Sequence, residues 1–225
     1  MRRVLVLRPE PGASATVERA RALGLNAIAL PLFEVAAVDW QAPEPSGFDG
    51  LLLTSANAIR HGGDGLHKLR GLPVYAVGEA TGEAAREAGF DIASTGDAGV
   101  ERLLGSIDPE LRLLHLAGED RREAPDARQQ IRVIPVYRSR ARDSVKLEGL
   151  AGSVALIHSA RAGRRFAELG AEGNVERGTI AVAAFGSEAA DAVGDGWEVV
   201  ETAESPSDDA LLALAKGLCN NPGPR

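Results

Sequence analysis

A repeat within the chain constrains its fold more than any other feature. Leu51-Leu52-Leu53-Thr54-Ser55-Ala56-Asn57-Ala58 and Ala155-Leu156-Ile157-His158-Ser159-Ala160-Arg161-Ala162 are each an apolar run followed by Ser-Ala-x-Ala. Each reads as a buried strand that turns directly into a helix. The flanking segments repeat too. Val74 to Leu104 and Ile180 to Leu212 both run strand, glycine turn, alanine-rich helix, Gly-aromatic, strand, polar turn and leucine-rich helix. In a third pair, Val4–Leu7 leads to Pro31-Leu32-Phe33-Glu34 and Leu113–Leu116 leads to Pro135-Val136-Tyr137-Arg138. The matched order of so many elements points to one α/β unit used twice.

The remaining pattern agrees. Strands are expected at Val4–Leu7, Asn26–Leu30, Gly50–Leu53, Val74–Val77, Ile92–Ala93, Leu113–Leu116, Val133–Tyr137, Val154–Ile157, Ile180–Ala184 and Trp197–Val200. Helices are expected at Ser14–Leu23, from Ala56, and at Thr81–Ala88, Val100–Ile107, Ala160–Leu169, Ser187–Val193 and Asp208–Leu218. Gly62-Gly63-Asp64-Gly65 reads as a turn, Pro125 interrupts the helix after Gly118, and the tail from Asn220 to Arg225 reads as disordered. Short apolar runs alternating with helices specify an α/β fold whose parallel sheets are covered on both faces. The order of the repeats predicts two similar parallel-sheet domains. Residues 1–33 with 140–225 form the first, and residues 38–133 are inserted as the second. Residues 34–37 and 134–139 are the paired linker strands, and a ligand cleft is expected between the domains.

Open parallel sheets bind ligands beyond the carboxyl ends of their strands. The turns there are Arg8-Pro9, Thr54-Ser55, Gly78 to Thr81, Ala117-Gly118-Glu119, His158-Ser159 and Gly186-Ser187. Several open helices, whose free N–H groups suit anions. Ser55, Thr81, Ser159 and Ser187 could equally cap those helices.

Other chemistries lack their residues. There is no Gly-x-x-x-x-Gly-Lys-Ser/Thr loop, no Gly-x-Gly-x-x-Gly after a strand and no Gly-x-Ser-x-Gly elbow. His61, His67, His115 and His158 lack metal-ligand spacing, and Cys219 is the single cysteine. A net charge of −7 offers no basic nucleic-acid face. No apolar run approaches the roughly 20 residues of a membrane span. The lone cysteine and the absence of a visible signal peptide fit a cytoplasmic protein. Basic charge is almost all arginine, with Lys68, Lys146 and Lys216 the only lysines. A GC-rich genome is the preferred reading of this excess; the other is that some arginines face carboxylates, which they grip bidentately.

Six segments together carry a family resemblance: Val6-Leu7-Arg8-Pro9, Leu53-Thr54-Ser55-Ala56-Asn57-Ala58, Val74 to Thr81, Val136-Tyr137-Arg138, Ile157-His158-Ser159-Ala160 and Thr202 to Ser207. In order and spacing they resemble the uroporphyrinogen-III synthases over nearly the whole chain. The resemblance implies two flavodoxin-like domains on a two-stranded linker. It also implies a cofactor-free, metal-free enzyme that cyclises hydroxymethylbilane, a linear tetrapyrrole with eight carboxylates, and inverts its last ring through a spiro intermediate. It places Tyr137 at the reacting end as the catalytic phenol. Substrate-binding positions are Arg8, Thr54, Ser55, Ala56, Gly78, Thr81, Gly118, Arg138, Ser159, Ala160, Arg161 and Ser187. A hydroxymethylbilane synthase would act upstream, and the working form would be a monomer without nucleic-acid or membrane partners. One departure stands out: Phe185-Gly186-Ser187-Glu188 has serine where the family commonly has threonine, and Glu188 is an unhelpful charge beside an anion. Two rival readings have weaker support. A periplasmic-type binding protein would carry an export signal, and a flavin-binding flavodoxin would have a Ser/Thr-rich loop where this chain has Arg8-Pro9-Glu10-Pro11-Gly12. A third, an inactive homologue that binds tetrapyrroles or regulates, stays open because this chemistry needs few side chains.

Overall fold

The computed structural model describes residues 2–96, 99–120, 127–173 and 175–220. Its strands are β1 (Arg3–Val6), β2 (Asn26–Ala29), β3 (Phe33–Ala37), β4 (Gly50–Leu53), β5 (Val74–Val77), β6 (Ile92–Gly96), β7 (Arg112–Gly118), β8 (Gln130–Ala141), β9 (Val154–Ile157), β10 (Ala181–Ala184) and β11 (Val199–Thr202). Its helices are α1 (Gly12–Ala22), α2 (Asn57–His61), α3 (Glu79–Glu87), α4 (Val100–Ser106), α5 (Ala160–Glu172), α6 (Ser187–Val193) and α7 (Asp208–Asn220). The chain divides into two compact units, residues 1–34 with 141–225 and residues 35–140.

In the first unit the sheet order is β11-β10-β9-β1-β2, with every pair parallel. All residues of β9 and β10 are buried, because helices cover both faces. Alternate side chains sort to two cores. Val4 and Val6 pack with Val17 and Ala20 of α1 and Leu211, Leu212 and Ala215 of α7. Leu5 and Leu7 pack with Ala162 and Phe166 of α5 and Ala189 and Val193 of α6. Gly24, at φ +81°, follows α1 and lets the chain turn into β2.

The α5–α6 contact depends on Gly163. A Cβ there would stand 2.9 Å from the Ala189 carbonyl oxygen and 3.1 Å from the Val193 nitrogen, both backbone atoms with little freedom to yield. Gly163→Ala should therefore destabilise the first unit by about 1–3 kcal/mol through overpacking. Gly178→Ala, which meets nothing within 4 Å, should be nearly neutral. Urea midpoints compare the two, and equal midpoints would remove the packing explanation.

In the second unit the order is β3-β8-β7-β4-β5-β6, parallel in every pair from β8 to β6. Here β7, flanked by β8 and β4, takes the place that β1, flanked by β2 and β9, takes in the first sheet. Both sheets thus follow the flavodoxin-like order, and the second reaches it by a circular shift of its strands along the chain. The repeated Val4–Leu7 and Leu113–Leu116 runs are these two equivalent strands.

Several elements differ from expectation. The Gly62–Gly65 segment is the start of a 3-10 helix, Gly63–Leu69, and α2 before it has only five residues. A Cβ on Gly62 would stand 2.8 Å from Leu66 carbons, and one on Gly65 would stand 2.6 Å from the Trp40 ring. The Trp40 indole also donates to the Gly62 carbonyl at 2.8 Å. The glycines therefore serve close packing. Strand β11 starts two residues later than expected, because Trp197 turns inward to stack on Phe166 with ring centroids 4.7 Å apart. Strand β8 is far longer than Val133–Tyr137. The tail expected to be disordered from Asn220 starts later, since Asn220 is the last residue of α7; residues 221–225 and the interruption expected at Pro125 lie outside the described residues.

Candidate functional site

In the order 2-1-3-4-5 the crossover helices of the first and third strands lie on opposite faces, which leaves a crevice at their carboxyl ends. In the first unit these strands are β1 and β9, with α1 packed in one core and α5 in the other. Arg8 follows β1, and His158 and Ser159 follow β9. In the second unit the equivalent strands are β7, which ends on Gly118, and β4, followed by Thr54 and Ser55. Sequence-expected residues thus stand at the switch point of each sheet.

The first unit places Arg8, Ser159, Ala160, Arg161 and Ser187. Ser159 caps α5, its Oγ accepting the Ala162 amide at 3.2 Å. Ala160 opens that helix. Arg161 lies with its guanidinium 4.5 Å from the centre of the Phe33 ring, a cation–π contact. Ser187 is the first residue of α6 and does not cap it, which removes the capping alternative: Gly186 holds the cap position without a side chain. Arg8 already faces an internal carboxylate, since its Nη1 donates to both oxygens of Asp208 at 3.2 Å.

Asp208, which the sequence reading overlooked, is the hub of this edge. It also accepts from Thr16 Oγ1 at 3.0 Å and Arg19 Nη1 at 3.2 Å. His158 Nε2 stands 3.4 Å from its Oδ1, a close electrostatic contact without the alignment of a full hydrogen bond. The imidazole stacks on Phe185, and its two ring nitrogens are buried without a hydrogen-bond partner among the described residues. The His158 contact, then Arg8 and the Thr16 hydroxyl, hold the Asp208 carboxyl at about 2 against the upward push of burial.

The depressed Asp208 carboxyl ties stability to pH with a definite sign. Such a group stabilises the fold above its unfolded pKa and loses that contribution as pH falls through the folded value. Asp208 should therefore contribute about 2 kcal/mol above pH ~4, fading towards pH ~2. Urea unfolding of the wild type and Asp208→Asn across this range checks it. The gap between them should narrow as pH falls, and a constant gap would contradict the linkage.

The second unit places Thr54, Ser55, Ala56, Gly78, Thr81, Gly118, Tyr137 and Arg138. Thr54 Oγ1 is 3.1 Å from His115 Nε2, bridging β4 and β7 at the switch point. Ser55 Oγ accepts the Asn57 amide at 3.2 Å and Ala56 is buried beside it. Gly78 adopts φ +82° at the start of α3, a conformation that glycine takes without strain. Thr81 is buried inside α3 and is not its cap, which removes the capping alternative there. Gly118 and Tyr137 are register partners across a bulge. A Cβ on Gly118 would stand 2.9 Å from the Tyr137 ring, so glycine is what lets the phenol lie over the end of β7. The His61 ring is tilted towards it at 6.4 Å. Arg138 is half-buried, and its Nε has no hydrogen-bond partner among the described residues.

A cavity of about 380 Å³ borders Leu104, Ile107, Pro109 and Gln129. These residues precede β7 and β8, so it lies at the amino edge of its sheet, away from the switch point. Among the described residues no three His, Cys, Asp or Glu side chains could hold a metal ion. None of the described helices is long and apolar enough to cross a membrane.

Comparison with known proteins accords with this geometry. Residues 14–213 match the HEM4 family, described as uroporphyrinogen-III synthase HemD. The fold is similar to the uroporphyrinogen-III synthetase of Helicobacter pylori 26695, at 18% identity and a TM-score of 0.66 over 97% of this chain and 100% of that one. It is also similar to a mutant uroporphyrinogen III synthase of the extremely thermophilic bacterium Thermus thermophilus, at 20% identity and a TM-score of 0.55 over 98% and 100%. No curated protein matches.

Proposed function

The chain belongs to the uroporphyrinogen-III synthase family, and from that premise we propose that it closes hydroxymethylbilane to uroporphyrinogen III, losing water and inverting the last pyrrole. The family match across residues 14–213 carries this reading. Both switch points support it, since each gathers hydroxyls and helix starts where an anionic ligand would bind.

The chemistry asks for shape and a proton more than for a nucleophile. The C–O bond of the hydroxymethyl carbon breaks, and the hydroxyl leaves as water with one added proton. The substituted carbon of the last pyrrole attacks the resulting electrophile and gives a spiro intermediate. That intermediate fragments, the ring turns over, and closure at the other carbon releases a proton. Atoms balance with loss of one water, and no redox equivalent is consumed. Tyr137 is the donor to the departing hydroxyl. The amides at the starts of α3 and α5, with Thr81 and Ser159, hold substrate carboxylates, as do Arg138 and Arg8. Holding both ends of the chain favours the hindered attack over simple closure.

Expression in a bacterial strain that lacks its own uroporphyrinogen-III synthase tests the reading. Restored haem-dependent growth is the expected result. Expression of folded protein without growth would turn the assignment towards a tetrapyrrole-binding or regulatory homologue.

A further inference from the structure

We propose that Asp208 is a positioning residue, which fixes the guanidinium of Arg8 at the switch point of the first unit so that its free edge grips one carboxylate of the substrate. The inference rests on the proposed function only in taking the ligand to be a polycarboxylate.

The geometry carries it. Arg8 uses one nitrogen, Nη1, on Asp208. Its Nε and Nη2 make no hydrogen bond among the described residues, and its side chain is 37% exposed. A Cβ on Gly12 would stand 2.7 Å from Nε, so the guanidinium in this position lies close against the start of α1. Nε and Nη2 are the pair that meets a carboxylate side-on.

Asp208 is itself held from several sides: Thr16 and Arg19 of α1 donate to it, and His158 at the end of β9 presses Nε2 against it. Arg19 also pairs with Asp209. The His158 side chain is only 9% exposed and stacks on Phe185, so the ring that stands 3.4 Å from Asp208 Oδ1 limits where the carboxylate can move. A carboxylate with this many donors is far more than an ion pair for one exposed arginine requires. It is an anchor, set where the sheet order opens a ligand crevice.

Equilibrium binding of uroporphyrin III, a stable octacarboxylate, to the full chain tests the inference. Asp208→Asn should weaken binding about tenfold, because Arg8 loses its fixed orientation. Arg8→Met should weaken it by a similar factor, and the double variant should bind no worse than Arg8→Met alone. Asp208→Glu should recover part of the loss. The sign is decisive: if Asp208 only neutralised the arginine, its removal would add positive charge and tighten binding. Tighter or unchanged binding by Asp208→Asn overturns the inference, as do additive losses in the double variant or no binding by the wild type. Should Asp208→Asn fail to fold, Asp208→Glu and Arg8→Met decide it: wild-type affinity in either overturns it, and a loss in both that grows no larger when they are combined upholds it. Synthase activity is scored separately on the wild type, so an inactive protein that shows this binding pattern would overturn the enzyme reading alone.

Discussion

Replacing Tyr137 with phenylalanine is expected to lower turnover by about a hundredfold, the scale of a lost general acid or oriented donor. Affinity for the porphyrin product should change by no more than about twofold, because the ring remains. That ring rests against Gly118 and faces His61, contacts that phenylalanine reproduces. Only the hydroxyl is removed. His61 does not replace it as a cation at neutral pH: burial, and then the charge of Arg60, push its pKa below the ordinary imidazole value. Steady-state kinetics with freshly generated hydroxymethylbilane give the answer. An unchanged kcat would assign Tyr137 to packing.

Phe166→Ala should cost about 3–5 kcal/mol, a large share of the stability of a typical domain. Phe166 is fully buried among residues of β1, β9 and α6 and stacks on Trp197, and the Arg177 guanidinium lies 5.1 Å from the centre of that indole. Truncation leaves a cavity walled by strand residues that cannot move inward without breaking the parallel ladder. Leu23→Ala, at the exposed end of α1, is the matched control and should change stability little. Denaturant unfolding of both variants decides the matter, and similar midpoints would mean that the core around Phe166 relaxes freely.

The fold was legible because its signals are local and periodic. Val4–Leu7, Gly50–Leu53 and Val154–Ile157 are apolar without alternation, which is what a parallel strand covered on both faces demands. The pairing of Val4–Leu7 with Leu113–Leu116 was legible, and the strand order shows what it means: a circular shift between the sheets, in which equivalent strands keep their residues while their order in the chain changes. The short α2 and the 3-10 helix after it escaped notice, because Gly62 and Gly65 answer to Leu66 and Trp40 rather than to a local turn.

The candidate site was only half legible. Ser55, Ser159 and Gly78 follow strands and Gly118 ends one, and position along the chain alone puts them at the sheet edges. Asp208 gave no such signal. An acidic residue in the first turn of a helix reads as a favourable charge on the helix dipole, and its bonds to Arg8 and Thr16 span 200 and 192 positions. His158 was noted for its lack of metal-ligand spacing, and its actual partner lies on another element. Long-range ion pairs leave no periodic trace in a sequence. The catalytic assignment itself came from resemblance, and the structure adds to it the close seat that Gly118 gives to Tyr137.

The central claim, that this chain directs ring closure with inversion, is tested most directly by the isomer it makes. Purified protein is added to freshly generated hydroxymethylbilane, the product is oxidised, and the type I and type III uroporphyrins are separated. Unassisted closure gives the type I ring. The account predicts mostly type III, in proportion to the protein added. Type I alone, formed at the rate of the protein-free control, would contradict it.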